Sequence, residues 1–256
     1  MQERLDYVTL TPQRILDLGC SRGGSFAGLA ARYPKAELIG LDLSPSMLLA
    51  DQARPALWQR WLGAGRSGPL RLAADAGKIP LKSQSTAMIW SNLLLHWLND
   101  PLPMFSEAHR VLEIGGLLMF STLGPDTLKE LRAAFSDGYA HTQRFIDMHD
   151  LGDMLVGCGF ADPVMDMEVI TLTYDSLDAM FGELKAAGGQ CAMQARCHGM
   201  TGKRAWLKAR SAYEAMRKDG KLPATFEVIY GHAWKVAPKR TGDGRAIVSL
   251  EKLKRR

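Results

Sequence analysis

Apolar positions in this chain come in short unbroken runs, and most runs are followed by a segment with a helical period. RILDL at residues 14–18, AELIGLDLS at 36–44, PLRLAAD at 69–75, TAMIWSN at 86–92 and GGLLMFST at 115–122 read as strands. Between them SFAGLAARY, ended by Pro34, and PMFSEAHRVLE read as helices, and Pro45 opens another behind the N-cap candidate Ser44. A glycine-rich connection runs from Gly63 to Gly68. Strands that are apolar at successive positions are buried on both faces, so this order predicts a parallel sheet covered on each side by helices.

After Thr122 the rhythm changes. PDTLKELRAAF predicts a helix, SDGYAHTQRFIDMHD a polar segment, and LGDMLVGCGF a short helix closing on Gly159. VMDMEVITLTY has strand character, 178–187 and 203–218 are helical, and ATFEVIYGHAWKV alternates as a strand. The simplest architecture is α/β: a doubly wound, mostly parallel sheet of seven strands, with a small helical cover inserted between the last strands. It is expected as one domain over 1–256, with a first half at 14–122, a second half and cover at 123–237, and a basic tail at 238–256.

Bulk composition fits a globular protein: 46% hydrophobic and 23% charged residues over 256 positions can build a sizeable core. No apolar run approaches the about 18 residues of a membrane span, and no signal-peptide pattern precedes Arg14. Cys20, Cys158, Cys191 and Cys197 are scattered, which suits a reducing cytoplasm better than a disulfide framework. The net charge of +5 changes meaning once located. Residues 235–256 carry +6, leaving the body at −1, so the body is not expected to be a nucleic-acid surface and the tail reads as a solvated end.

Ligands of parallel sheets bind beyond the carboxyl ends of the strands, which selects Gly19, Asp42, Asp75 and Asn92. The loop RILDLGCSRGGS weighs between two cofactor classes, or serves only as a tight connection after the strand. In a dinucleotide register the glycine places fall on Gly19, Ser21 and Gly24, and a serine in the middle place crowds a pyrophosphate. Asp17 repels phosphate but attracts the ammonium group of S-adenosylmethionine. Asp42, 23 residues after Gly19, can accept both ribose hydroxyls, or can act only as a carboxylate at the start of the next helix. Asp75 with Ala76 suits an adenine edge, or only a turn. CAMQARCH, with Cys191, Cys197 and His198, lacks the paired spacing of a zinc site, so no metal is expected.

DLGC…G, IGLDLS, AADAGKIPL and GGLLMFST are similar to the successive motifs of class I S-adenosylmethionine-dependent methyltransferases. FSTLGPDTLKELR, RFIDMHDLGDMLVGCGFADPVMD, ITLTY and LPATFEVIYGHAWK resemble the malonyl-acyl-carrier-protein O-methyltransferases of biotin synthesis, so that nearly the whole chain is covered. A related family, a complex I assembly factor that modifies a protein arginine, shares these motifs. The resemblance implies S-adenosyl-L-methionine held by Asp17, Gly19, Cys20, Gly23, Asp42, Leu43, Asp75, Ala76 and Asn92. It implies methyl transfer to the free carboxylate of a malonyl thioester on acyl carrier protein, with no nucleic acid or membrane as partner. Arg144, in HTQRF, matches the family's carboxylate-binding arginine, and His96 and Trp97, in LLLHWL, are expected to wall the pocket or simply to pack. No catalytic acid or base is assigned, since a carboxyl group of ordinary pKa is already ionised near neutrality.

Two departures stand out. Ser21 takes the place of the family's second loop glycine. Thirteen residues precede Arg14, where the family carries a longer segment that covers the site and supplies a tyrosine, and Tyr7 lies too close to the first strand to match it. The expectation is an internal start or an incomplete lid. A non-catalytic assembly factor and a protein-arginine-modifying enzyme of the same fold stay open as alternatives.

Overall fold

The computed structural model describes residues 1–50 and 68–237. Most of the connection from Gly63 and the tail at 238–256 therefore lie outside the described residues. Seven strands form one sheet: β1 (Arg14–Leu18), β2 (Glu37–Asp42), β3 (Leu70–Ala73), β4 (Thr86–Asn92), β5 (Leu112–Leu123), β6 (Ala161–Tyr174) and β7 (Leu222–Trp234). The described helices are α1 (Phe26–Arg32), α2 (Pro45–Leu49), α3 (Leu102–Val111), α4 (Lys129–Ala134), α5 (Met148–Gly157), α6 (Leu177–Ala186) and α7 (Lys203–Glu214). Strand order is β3-β2-β1-β4-β5-β7-β6, parallel through β5, with β7 antiparallel to both of its neighbours.

The unbroken apolar runs of β1, β4 and β5 follow from their place in the middle of the sheet. Alternate residues feed opposite faces. Leu16, Leu18, Ile89, Leu118 and Phe120 pack with Phe105, Ala108 and Val111 of α3. Ile15, Met88, Trp90, Leu117 and Met119 pack on the other side with Leu29, Tyr33 and the N-terminal Leu5. All of these side chains except Tyr33 are under 5% exposed, so truncating any large one to alanine costs about 2–5 kcal/mol.

Helix starts follow their capping chemistry. Ser44 accepts from the Met47 N–H at α2, Asp147 from the His149 N–H at α5, and Ser176 from the Ala179 N–H at α6. The helix expected from Pro125 begins only at Lys129. The intervening backbone is claimed by β7: the Asp126 N–H donates to Glu227 Oε2 at 2.6 Å and the Leu128 N–H to the Thr225 carbonyl at 2.6 Å, leaving Leu128 in the left-handed region. The helix expected to reach residue 218 stops at Glu214. Asp219 and Gly220, both with positive φ, then turn the chain back, and Lys218 pairs with Lys221.

The helical cover stands between β6 and β7, as α6, α7 and the segment joining them. It has its own core, in which Leu177, Met180 and Tyr213 meet Leu128 and Leu131 at α4, and Leu222 and Ala224 of β7. The Tyr213 hydroxyl donates to the Pro223 carbonyl at 2.7 Å, tying α7 to the start of β7. A short 3-10 helix, Gln2–Tyr7, was not expected from the sequence. Leu5 anchors it in the core, and Arg32 holds it through Asp6 and the Leu5 carbonyl.

Candidate active site

The loop after β1 stays in register with β2 beyond the end of the strand: the Gly19 and Cys20 amides both donate to the Leu41 carbonyl, at 2.8 and 3.1 Å. Gly19 has φ +71°, and a Cβ there would lie 2.9 Å from the Leu94 side chain. Gly23 has φ +91°, with the Phe26 ring 2.4 Å from where a Cβ would be. A side chain at either place is therefore both strained and obstructed. Gly24 meets open space instead.

Asp42 ends β2. Its Oδ2 accepts the Ser21 N–H and its Oδ1 accepts the Ser44 N–H, each at 2.8 Å, so one carboxylate ties the loop to the start of α2. Both oxygens keep a second lone pair. Beyond it Leu43 is 75% exposed, an unusual setting for a leucine. After β3, Asp75 closes an Asx turn by accepting the Gly77 N–H at 2.8 Å through Oδ1, while Ala76 is buried. Asn92, at the end of β4, is exposed and accepts the Ser121 hydroxyl at 2.6 Å.

Asp17 is the buried carboxylate of the set, at 2% exposure, and its Oδ2 has no hydrogen-bond partner. Desolvation pushes its pKa up to about 7, the Asp42 charge adds to the rise, and a hydrogen bond with Ser25 opposes it. Ser25 in turn accepts the Trp90 indole N–H at 3.2 Å. Burial pushes the neighbouring Cys20 thiol up to about 12, with Asp17 and Asp42 adding to it, which keeps the sulfur protonated and unreactive.

A cavity of about 730 Å³ opens here, walled by Gly19, Cys20, Ser21, Arg22, Gly24, Ser25, Trp90 and Asn92 and by Met1, Gln2 and Glu3. Asp17, Gly23, Asp42, Leu43, Asp75 and Ala76 are not on this wall. Ser25, Trp90 and the N-terminal residues were not expected from the sequence. The apolar run TAMIWSN pointed to a strand core, and only the indole N–H of Trp90 hinted at a polar role.

A second cavity, of about 430 Å³, is lined by Arg132, His141, Thr142, Gln143, Arg144, Phe145 and Met193 among others. Arg144 is exposed and makes no hydrogen bond or ion pair among the described residues. Arg132, by contrast, is committed to the Thr127 and Pro125 carbonyls. His96 faces Phe145, ring centroids 6.4 Å apart, and Trp97 at 5.3 Å. Its buried Nδ1 has no partner, and desolvation pulls its pKa down to about 4, so the ring is neutral near pH 7. Trp97 is half exposed and lies against Gly188 of the cover, where a Cβ would come within 3.1 Å of the indole.

Residues 16–120 match a family model described as a methyltransferase domain. The Bacillus subtilis protein YcgJ shares the fold at TM-score 0.61 and 14% identity, over 90% of this chain and 94% of that one. The malonyl-[acyl-carrier protein] O-methyltransferase of Gallionella capsiferriformans is 50% identical over 97% of this chain and 86% of its own length. That of Laribacter hongkongensis is 49% identical over 98% and 86%. The chain belongs to the malonyl-[acyl-carrier protein] O-methyltransferase family. It is an S-adenosylmethionine-dependent O-methyltransferase.

In this methyltransferase the departing Ser21 takes the left-handed conformation of a glycine, with φ +48°. Tyr7 is 89% exposed and lines neither cavity. Cys191 donates to the Ala140 and Thr142 carbonyls, Cys197 to that of Gly199, and no group of three metal-ligating side chains occurs among the described residues. No described helix is long and apolar enough to cross a membrane.

Proposed function

We propose that this methyltransferase esterifies the free carboxylate of a malonyl thioester borne by acyl carrier protein, with Arg144 as the clamp that holds the acceptor. The observation that carries the reading is the unpaired Arg144 guanidinium on the wall of the second cavity, beside Phe145, whose ring faces His96. The names of the relatives supply the acceptor.

The residues around the first cavity fit S-adenosylmethionine. The unpartnered Oδ2 of Asp17 suits a cationic group, and the open space at Gly24 leaves room for a ligand against the backbone. Asp42 would accept ribose hydroxyls on its remaining lone pairs, and Asp75 would take the adenine amine through Oδ2, with the Ala76 amide beside it. Cys20, Gly23, Leu43 and Asn92 would complete the surround. When bound, the cofactor supplies a methyl group on a positively charged sulfur, a good leaving group.

The protein's own task is then orientation. Arg144 can hold the malonate end in a planar fork while leaving one carboxylate lone pair for attack. Phe145 and Trp97 can keep water from the reacting oxygen, and neutral His96 can offer a hydrogen bond without competing for the anion. The product is an uncharged ester, so the ion pair with Arg144 is lost as it forms and release is favoured. The unpaired cysteines accord with a cytoplasmic setting.

The test is methyl transfer to malonyl-acyl carrier protein, read as a mass increase on the acyl group, beside acetyl-acyl carrier protein, which has no free carboxylate. Transfer to both, or to neither, sinks the reading.

A further inference from the structure

The nearly neutral body hides a strong internal asymmetry. From Leu184 to Tyr213 there is no Asp or Glu, while Lys185, Arg196, Lys203, Arg204, Lys208 and Arg210 give +6. With the body at −1, everything before Lys235 outside this stretch carries −7. The stretch is the larger part of the cover: the end of α6, the connecting segment and all but the last residue of α7.

Within it only Arg210 is paired, with Asp178 at 3.0 Å. The other five cations are exposed and make no side-chain ion pair or hydrogen bond among the described residues. Helical spacing sorts α7 into two faces. Trp206, Ala209 and Tyr213 turn inward, whereas Lys203, Arg204, Leu207 and Lys208 face out, with Leu207 52% exposed among the charges. This outward face is cationic, with no acidic residue from Lys203 to Tyr213 to offset it.

This face is mechanically joined to the second cavity. Trp206 packs at a tilt against Phe135, centroids 6.3 Å apart, and Phe135 stacks at 3.6 Å on His141, which lines the cavity. The connecting segment supplies Met193 to the same wall, and its Ala195 carbonyl accepts the Ala140 N–H at 3.0 Å. A partner seated on α7 therefore sits beside Arg144's cavity.

We infer that the cationic face of α7 and its preceding segment docks an acidic protein. Resting on the acceptor reading above, that protein is the carrier, and the face aims its malonyl arm at the second cavity. The four unpaired cations of this face, Arg196, Lys203, Arg204 and Lys208, attract a negative surface at long range and repel a positive one.

The experiment compares the full-length wild type with the triple variant Lys203→Glu/Arg204→Glu/Lys208→Glu, all three positions exposed and on one helix. Two acceptors are assayed: malonyl-acyl carrier protein and malonyl-pantetheine, which has the thioester without the protein. Calorimetric titration with malonyl-acyl carrier protein gives binding independently of turnover. The expected result is a KM for the protein acceptor raised about tenfold or more, with kcat and the KM for malonyl-pantetheine unchanged, and wild-type affinity that falls from about 0.05 to 0.3 M salt. Unchanged binding of the carrier by the variant overturns the docking surface. So does loss of duplex-DNA binding with carrier binding intact, which would make the face a nucleic-acid site. If the carrier binds in a charge-dependent way but neither thioester is methylated, the acceptor reading falls and the docking surface stands.

Discussion

The backbone N–H of Ser21 donates to Asp42 Oδ2 at 2.8 Å, while the other oxygen of the same carboxylate holds the Ser44 N–H. Asp42 thus shapes the loop around the first cavity as well as presenting lone pairs to a ribose. Asp42→Ala should weaken S-adenosylhomocysteine binding by about 1.5–3 kcal/mol, the scale of hydrogen bonds to a charged group. Asp42→Asn should fare little better, since its amide NH₂ must face one of the two N–H donors. Calorimetry reads both; affinity within twofold of wild type for either variant removes Asp42 from the site.

Ser21 holds φ +48° with a side chain attached. Left-handed backbone costs an L-residue about 1–2 kcal/mol, and a glycine loses part of that gain to its freer unfolded state. Ser21→Gly should therefore stabilise the protein by about 0.5–1 kcal/mol, seen as a higher Tm, while keeping the amide that Asp42 needs. A lower Tm would mean that the serine side chain contributes more than the strain it imposes.

Asp17 gives a pH signature. Its folded-state pKa of about 7 lies above the ordinary 3.8, so the folded protein holds an extra proton between those values. Stability should fall as pH rises from about 4 to about 7 and then level off. Asp17→Asn, neutral throughout, should lose that slope. A ligand whose ammonium group meets Asp17 works in the opposite sense: S-adenosylhomocysteine affinity should rise through pH 7 in the wild type and stay flat in the variant. Parallel pH profiles for the two proteins would separate Asp17 from any such ligand.

Arg144→Ala should lower kcat/KM for malonyl-acyl carrier protein by about a hundredfold, as expected for a lost two-point charged contact. Arg144→Lys should recover only part, because a point charge lacks the planar fork. S-adenosylhomocysteine binding should not change in either. Equal turnover by all three proteins would dismiss the clamp.

What the chain declares of itself depends on how local the cause is. β1 and β4 were legible because both of their faces are apolar, and α2 because Ser44 is a local cap. Gly19 and Asn92 could be read as neighbours because the ends of parallel strands converge, and both line the first cavity. Residues 125–128 were misread as helix because the groups that hold them, Glu227 and Thr225, lie some hundred positions away. The Trp90–Ser25–Asp17 chain was missed for the same reason: each member looks ordinary where it stands. The cationic cover was hidden by addition, its charge cancelled in the total by acids elsewhere.

The cover leaves the sheet at Tyr174 and returns at Leu222, and these two residues are paired partners across β6 and β7. Its two ends are thus held side by side by the strand ladder. Closing a loop between fixed neighbours costs little more as the loop lengthens, so the insertion can grow, shrink or be exchanged without redrawing the sheet. The face that the insertion presents then becomes a detachable trait. The outer surface of residues 175–221 can then be rewritten while Arg144 and the strands that end at Leu18, Asp42 and Asn92 keep their arrangement.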